Sequence, residues 1–117
     1  MAEHIEVQKL SGTSGDVLVI RLLDKKLISP AVIQEVSEEM NALIDQGHTK
    51  LVIVFANVQI LASLFINALI KLRIKILAAS GMIRLCHLSP VIQEVFGPMI
   101  GKVFPVFPTE KEALADF

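Results

Sequence analysis

Between Lys50 and Lys71 lie twenty residues without a single charge, LVIVFANVQILASLFINALI. A run of that length can cross a bilayer as one helix, or it can hold two elements buried in a globular core. Its texture changes midway. Leu51 to Ala56 is short, continuous and rich in β-branched residues, the pattern of a strand buried on both faces. Asn57, Val58 and Gln59 interrupt it. From Ser63 onward the polar residues Ser63, Asn67 and Lys71 recur every four positions, which puts them on one side of a helix. The polar residues inside the run would each weaken membrane insertion. The run therefore reads as a buried strand over 51–56, a turn, and a helix over 63–79.

The flanking segments supply partners for that strand. Ile5 to Leu10 alternates and predicts a first, edge strand. Ser11 to Asp16 holds two glycines and predicts a turn, and Val17 to Leu23 predicts a second strand in a hairpin with the first. Asp24-Lys25-Lys26 ends that apolar run. Ser29-Pro30 marks a helix start, with serine suited to capping and proline to the first turn. Val32, Ile33, Val36, Met40, Leu43 and Ile44 then follow at helical spacing. Glu35, Glu38, Glu39 and Asp45 take the opposite side, and Gly47 stops the helix.

Ile70 to Ile76 alternates apolar with basic residues, but it continues from Asn67-Ala68-Leu69 without a break into Ala78-Ala-Ser-Gly81, a helix end. A helix here cannot gather Lys71, Arg73 and Lys75 on one face, so some of its isoleucines or leucines must meet solvent. Met82 to Leu88 predicts a strand, and Ser89-Pro90 starts another helix running from Val91 to about Met99. Val103 to Phe107 predicts a short last strand with Pro105 at an edge. Thr109-Glu-Lys-Glu112 is a capping box before a terminal helix through Phe117. The order β-β-α-β-α-β-α-β-α implies an α/β fold, a mixed four- to five-stranded sheet flanked by helices. At 117 residues the chain is expected to form a single domain over 1–117.

Composition limits the chemistry. Eleven basic against twelve acidic residues leave a net charge of −1, without the basic surplus that general nucleic-acid binding requires. The first ten residues contain acidic groups and no apolar segment, so a signal peptide is not expected and the protein is expected to be cytoplasmic. His4, His48 and His87 fall in different elements without ligand spacing, so no metal is expected. Cys86 and His87 are neighbours on the expected strand and point to opposite faces, which rules out a nucleophile–base pair and leaves Cys86 as an inert core residue. There is no glycine-rich phosphate loop. No cofactor and no enzymatic activity are expected.

Three stretches, LVIVFANVQILAS at 51–63, GMIRLCHLSPVIQEVF at 81–96 and VFPVFPTEKEALADF at 103–117, make the chain from Val17 to Phe117 resemble a STAS domain. That is the fold of bacterial anti-sigma factor antagonists and of sulfate-transporter cytoplasmic tails. In that family the strand corresponding to 51–56 leads into a loop reading Asp-Ser-Ser/Thr-Gly. Its first serine is phosphorylated by a partner kinase that doubles as the anti-sigma factor. Here the loop reads Ala62-Ser63-Leu64-Phe65: the serine is kept, while the aspartate, the second hydroxyl and the glycine are not. The Gly-x-Leu-Asp that usually follows the second strand is also replaced, by Asp24-Lys-Lys-Leu-Ile-Ser29.

The resemblance implies a protein–protein interaction module in signal transduction and transcription regulation. Its expected partner is a kinase-type anti-sigma factor. Ser63 is the phosphorylation candidate, and Ala62, Ser63, Leu64, Asn67 and Lys71 are the candidate partner-binding residues. Ser63 also suits a helix N-cap, a role compatible with accepting phosphate at the positive end of the helix dipole. Leu64 and Phe65 beside it favour a second reading, a STAS scaffold or subunit that docks permanently, as stressosome-type scaffolds and the small STAS subunits of lipid-transport complexes do. A small-molecule or nucleotide-binding role has family precedent but no motif here.

Overall fold

The computed structural model describes residues 4–12 and 15–115. Strands β1 (Ile5–Gly12), β2 (Gly15–Leu22), β4 (Lys50–Val54), β6 (Met82–Cys86) and β7 (Val106–Phe107) form one sheet in the order β1-β2-β4-β6-β7. The β1–β2 pair is an antiparallel hairpin and every other pairing is parallel. Strands β3 (Lys26–Leu27) and β5 (Ile60–Leu61) make a separate two-stranded parallel ribbon. Helices α1 (Pro30–Asp45), α2 (Ser63–Ala78), α3 (Pro90–Phe96) and α4 (Glu110–Leu114) connect or follow the strands. The mixed sheet and the β-β-α-β-α-β-α-β-α order are as the sequence predicts, and the ribbon is the addition. Among the described residues, no helix is long and apolar enough to cross a membrane.

The side chains of a strand alternate between faces, and this sheet buries both. Leu18, Ile20, Leu51, Ile53, Ile83 and Leu85 pack into the main core with Ile33, Val36, Met40, Leu69, Leu72, Ile76 and Ile92 of the first three helices. Val17, Val19, Val52, Val54 and Cys86 form a smaller layer with Ala113 of α4. Two arginines tie α4 down. The Arg21 guanidinium donates to both carboxylate oxygens of Glu110 at 3.0 and 2.9 Å, and Arg84 donates to the Ala113 and Ala115 carbonyls at 2.8 and 2.7 Å.

The main core is threaded by phenylalanines set edge to face. Phe55 meets Phe65 at 6.3 Å and Phe96 at 5.9 Å between ring centroids, and Phe96 meets Phe104 at 5.8 Å. Phe55 therefore joins the end of β4 to the start of α2 and the end of α3.

Several element ends differ from the sequence expectation, each for a local reason. Strand β4 stops at Val54, although the Phe55 amide still donates to the Cys86 carbonyl at 3.0 Å. Strand β6 stops at Cys86 because His87 takes a positive φ of 58°, so Cys86 and His87 are separated by a strand end and do not share the strand. Helix α3 stops at Phe96, since Gly97 has φ 56° and Pro98 offers no N–H; a 3-10 turn over Gly97–Met99 follows. The expected strand 103–107 keeps only Val106 and Phe107, because the Val103 and Phe104 amides both turn back to the Met99 carbonyl. The Thr109 hydroxyl accepts from the Glu112 amide at 3.2 Å, as the capping box requires, and Asp116 and Phe117 lie outside the described residues.

Helix α2 ends in an unusual way. The Gly81 amide bonds the Ile76 carbonyl and the Ser80 amide the Leu77 carbonyl, at 2.9 and 3.0 Å, the paired bonds of a Schellman cap. The left-handed position of that cap belongs to Ser80, with φ 60°, and not to the glycine beside it. Gly81 is needed for a different reason: an added Cβ would stand 2.1 Å from the Thr49 carbonyl oxygen.

The acidic side of α1 is not all solvated. The buried imidazole of His4 bonds Asp24 through Nδ1 at 2.7 Å and Glu35 through Nε2 at 2.5 Å, and the His4 amide donates to Glu39 at 3.4 Å. The bond to Glu35 is the largest influence raising the His4 pKa above 6.5; burial opposes it and Asp24 adds to it. Because the folded-state value is the higher one, this clasp stabilises the protein fully below about pH 6.5 and is lost as pH rises through the raised value. Denaturant midpoints should therefore fall as pH rises above about 6.5 through the raised value, and His4→Gln should flatten that fall. Equal slopes in both proteins would show that the clasp contributes nothing.

Candidate functional site

The five candidate residues sit where β5 leads into α2. The ribbon fixes that entry: the Ala62 amide donates to the Leu27 carbonyl at 2.9 Å, and the Ala62 carbonyl accepts from the Phe65 amide at 2.9 Å. Ala62 is the N-cap residue and has no side-chain oxygen to offer. Ser63 is thus the first helical residue and not the cap, a correction to the sequence reading. Its side chain is exposed and makes no capping hydrogen bond. The first turn of α2 holds no acidic residue, so the partial positive charge of the helix start is not offset locally.

Phe65 and Ile66 of the same turn point inward and are buried, Phe65 against Phe55. Leu64 points out and is 46% exposed, and Ile60 on β5 and Ile28 just after β3 are exposed too. Lys26, opposite Ile60 in the ribbon, is exposed as well.

Leu64, Asn67 and Lys71 line a groove of about 520 Å³ between α2 and α1. Pro30, Gln34, Glu38 and Asn41 form the facing wall, with Ile33 and Ala68 at its base. Beyond Lys71, Lys75 crosses to α1 and bonds Asp45 at 2.6 Å and Asn41 at 3.2 Å. Ala62 and Ser63 stand outside this lining. Three of the five candidates therefore share a groove and two belong to the adjoining helix start. The α1 wall was missing from the sequence reading, although Gln34, Glu38 and Asn41 lie at helical spacing. A polar helix face looks the same whether water or another helix lies beyond it.

Among the described residues no group of three His, Cys, Asp or Glu side chains could hold a metal. Cys86 is fully buried, and burial pushes its thiol up to about 12, with Glu110 adding and Arg21 opposing. The thiolate is the reactive form, so Cys86 should stay unmodified by an alkylating reagent in the native protein and react on unfolding. Stoichiometric native labelling, read by intact mass, would contradict this.

No family model and no curated protein matches the sequence. Solved structures do match. An anti-sigma factor antagonist from Mycobacterium paratuberculosis superposes with a TM-score of 0.75 at 20% identity, over 94% of this chain and 91% of that one. An anti-sigma-factor antagonist (STAS) domain protein from Planctomyces limnophilus gives 0.74 at 21% identity, over 92% of each chain. The Bacillus cell fate determinant SpoIIAA, in its phosphorylated form, gives 0.69 at 21% identity, over 93% of this chain and 95% of that one. Each match runs over nearly the whole length of both chains, and this chain has the fold of the STAS anti-sigma factor antagonists.

Proposed function

We propose that this protein is a non-enzymatic, anti-sigma factor antagonist-like interaction module. It binds a kinase-type anti-sigma factor through the start of α2, with Ser63 as the residue that accepts phosphate. The observation that carries this reading is the placement of Ser63: an exposed hydroxyl, not used in capping, on the first turn of the helix that the β3–β5 ribbon leads into after the central strand β4. A phosphate there would add about −1.5 to −2 charges at a helix N-terminus, where negative charge is tolerated. The likeness to SpoIIAA, solved in a phosphorylated form, agrees with this role. Leu64, Asn67 and Lys71 extend the same surface along the groove.

A second reading, a constitutive scaffold or subunit, is favoured by the apolar surroundings of the serine. Leu64, Ile60 and Ile28 are all exposed near the helix start, and a lasting interface uses such side chains as anchors.

Capture of the native protein with its partner, followed by mass spectrometry, tests the partner class and the state of Ser63 together. Calorimetry with that partner then separates the two readings. Under the first, Ser63→Asp should weaken binding by about tenfold or more, while the fold keeps its stability because the helix start accepts an acidic side chain. Under the second, Leu64→Ala should cost about 2 kcal/mol or more of binding, and Ser63→Asp less. Unchanged affinity in both variants would remove this face from the interface.

A further inference from the structure

At the other end of α2 from Ser63 lies a smaller groove, of about 230 Å³, that plays no part in the reading above. Arg73 and Leu77 form one wall, Met82 and Ile83 of β6 the floor, and Lys102 and Val103 the far wall. It exists because β7 is short. Strand β7 pairs only with Leu85 and Cys86, so the first half of β6 has no outer neighbour among the described strands. Hydrogen bonding fixes which way that free edge points. The Met82 amide donates inward to the Thr49 carbonyl, whereas the Leu85 amide donates outward to the Pro105 carbonyl. Alternation along the strand turns the N–H and C=O of Ile83 outward, into the groove.

The rim is charged with one sign only. Arg73 and Lys102 make no ion pair among the described residues, and no acidic side chain lines the groove. Arg84 also borders it, but its guanidinium is engaged with the Ala113 and Ala115 carbonyls and lies 5.4 Å from the centre of the Phe107 ring. Between the cations the surface is apolar, with Leu77 and Met82 both partly in solvent. Two cations and a backbone donor without a counter-charge call for an anion. Apolar walls call for hydrocarbon beside it, and the small volume limits that hydrocarbon to one short chain.

We propose that this groove is a binding site for a small monoanionic amphiphile. Its carboxylate meets Arg73, Lys102 and the Ile83 N–H, and its short tail lies along Leu77, Met82 and Val103. The site is independent of the α1–α2 groove, so either can fail without the other.

Octanoate is a suitable probe, titrated into the full-length, isotope-labelled protein and followed by amide chemical shifts. Saturable changes at Ile83, Leu77 and Val103 are expected. Octanol, which lacks the charge, and acetate, which lacks the tail, should each bind about tenfold more weakly or worse. The double variant Arg73→Gln, Lys102→Gln changes two partly or wholly exposed side chains and should lose octanoate binding by a similar factor while its other resonances stay in place. Leu64→Ala should leave the binding unchanged. Shifts that grow without saturating, an equal response to octanol, or full binding by the double variant would each overturn the assignment.

Discussion

Alanine at position 81 should destabilise the protein by about 3 kcal/mol or more, far beyond the usual effect of adding one methyl group. Gly81 joins the end of α2 to the start of β6 and is buried. A Cβ there would come within 2.1 Å of the Thr49 carbonyl oxygen, 2.6 Å of Thr49 Cβ and 2.9 Å of Ile76 Cγ2. The first of these is backbone, and it already accepts the Met82 amide at 2.8 Å in the entry to the β4–β6 pairing. Relief would require moving the start of a central strand, and a side-chain rotation cannot supply it. Since domains of this size are stable by about 5–15 kcal/mol, the variant should unfold at a markedly lower denaturant concentration. A midpoint within error of wild type would mean that the two elements can separate freely, and that the close approach is unimportant.

Phe55→Ala should be comparably costly, by about 3–5 kcal/mol, through a different mechanism. Phe55 is 1% exposed and touches Phe65 and Phe96 edge to face, so truncation empties a site walled by two other rings. Those rings belong to different helices, and collapse onto the void would require α2 and α3 to move together. The loss should appear in the denaturant midpoint with little change in slope. Phe55→Leu, which keeps most of the volume, should recover a large part of it. If Phe55→Ala cost less than about 1 kcal/mol, the phenylalanine series would not be the core that its geometry implies.

Much of this architecture is legible in the sequence because its elements carry strong periodic signals. The charge-free run resolves into β4 and α2 through its change of texture at Asn57. Helix α1 follows from its apolar spacing, with Gly47 as its stop at φ 99°. The ribbon of β3 and β5 could not be read the same way, since two residues per strand hold no period and Lys26-Leu27 looks like the tail of a charged break. The role of Ser63 was misread for a related reason. Serine is a favoured cap, yet the ribbon bonds Ala62 to Leu27 and so fixes the helix entry one residue earlier. Ser29 shows the same limit: it occupies the cap position of α1 without making the side-chain bond, whereas Ser89 makes it for α3. The site divides likewise. Leu64, Asn67 and Lys71 share a side by helical arithmetic alone, but the wall that faces them comes from a helix some thirty positions away, and only packing brings it there.

The order of strands in the sheet bears on how the chain is assembled during synthesis. From β1 through β2, β4, β6 and β7, position across the sheet follows position along the chain. No strand has to be threaded between two that are already paired; each finds its neighbour as an open edge. The hairpin, whose contacts are local, can form as soon as Leu22 has emerged, and β4 and then β6 can each add to it after one helical crossover. Helix α4 follows every strand in the chain, and it closes the smaller core layer over strands that are by then in place.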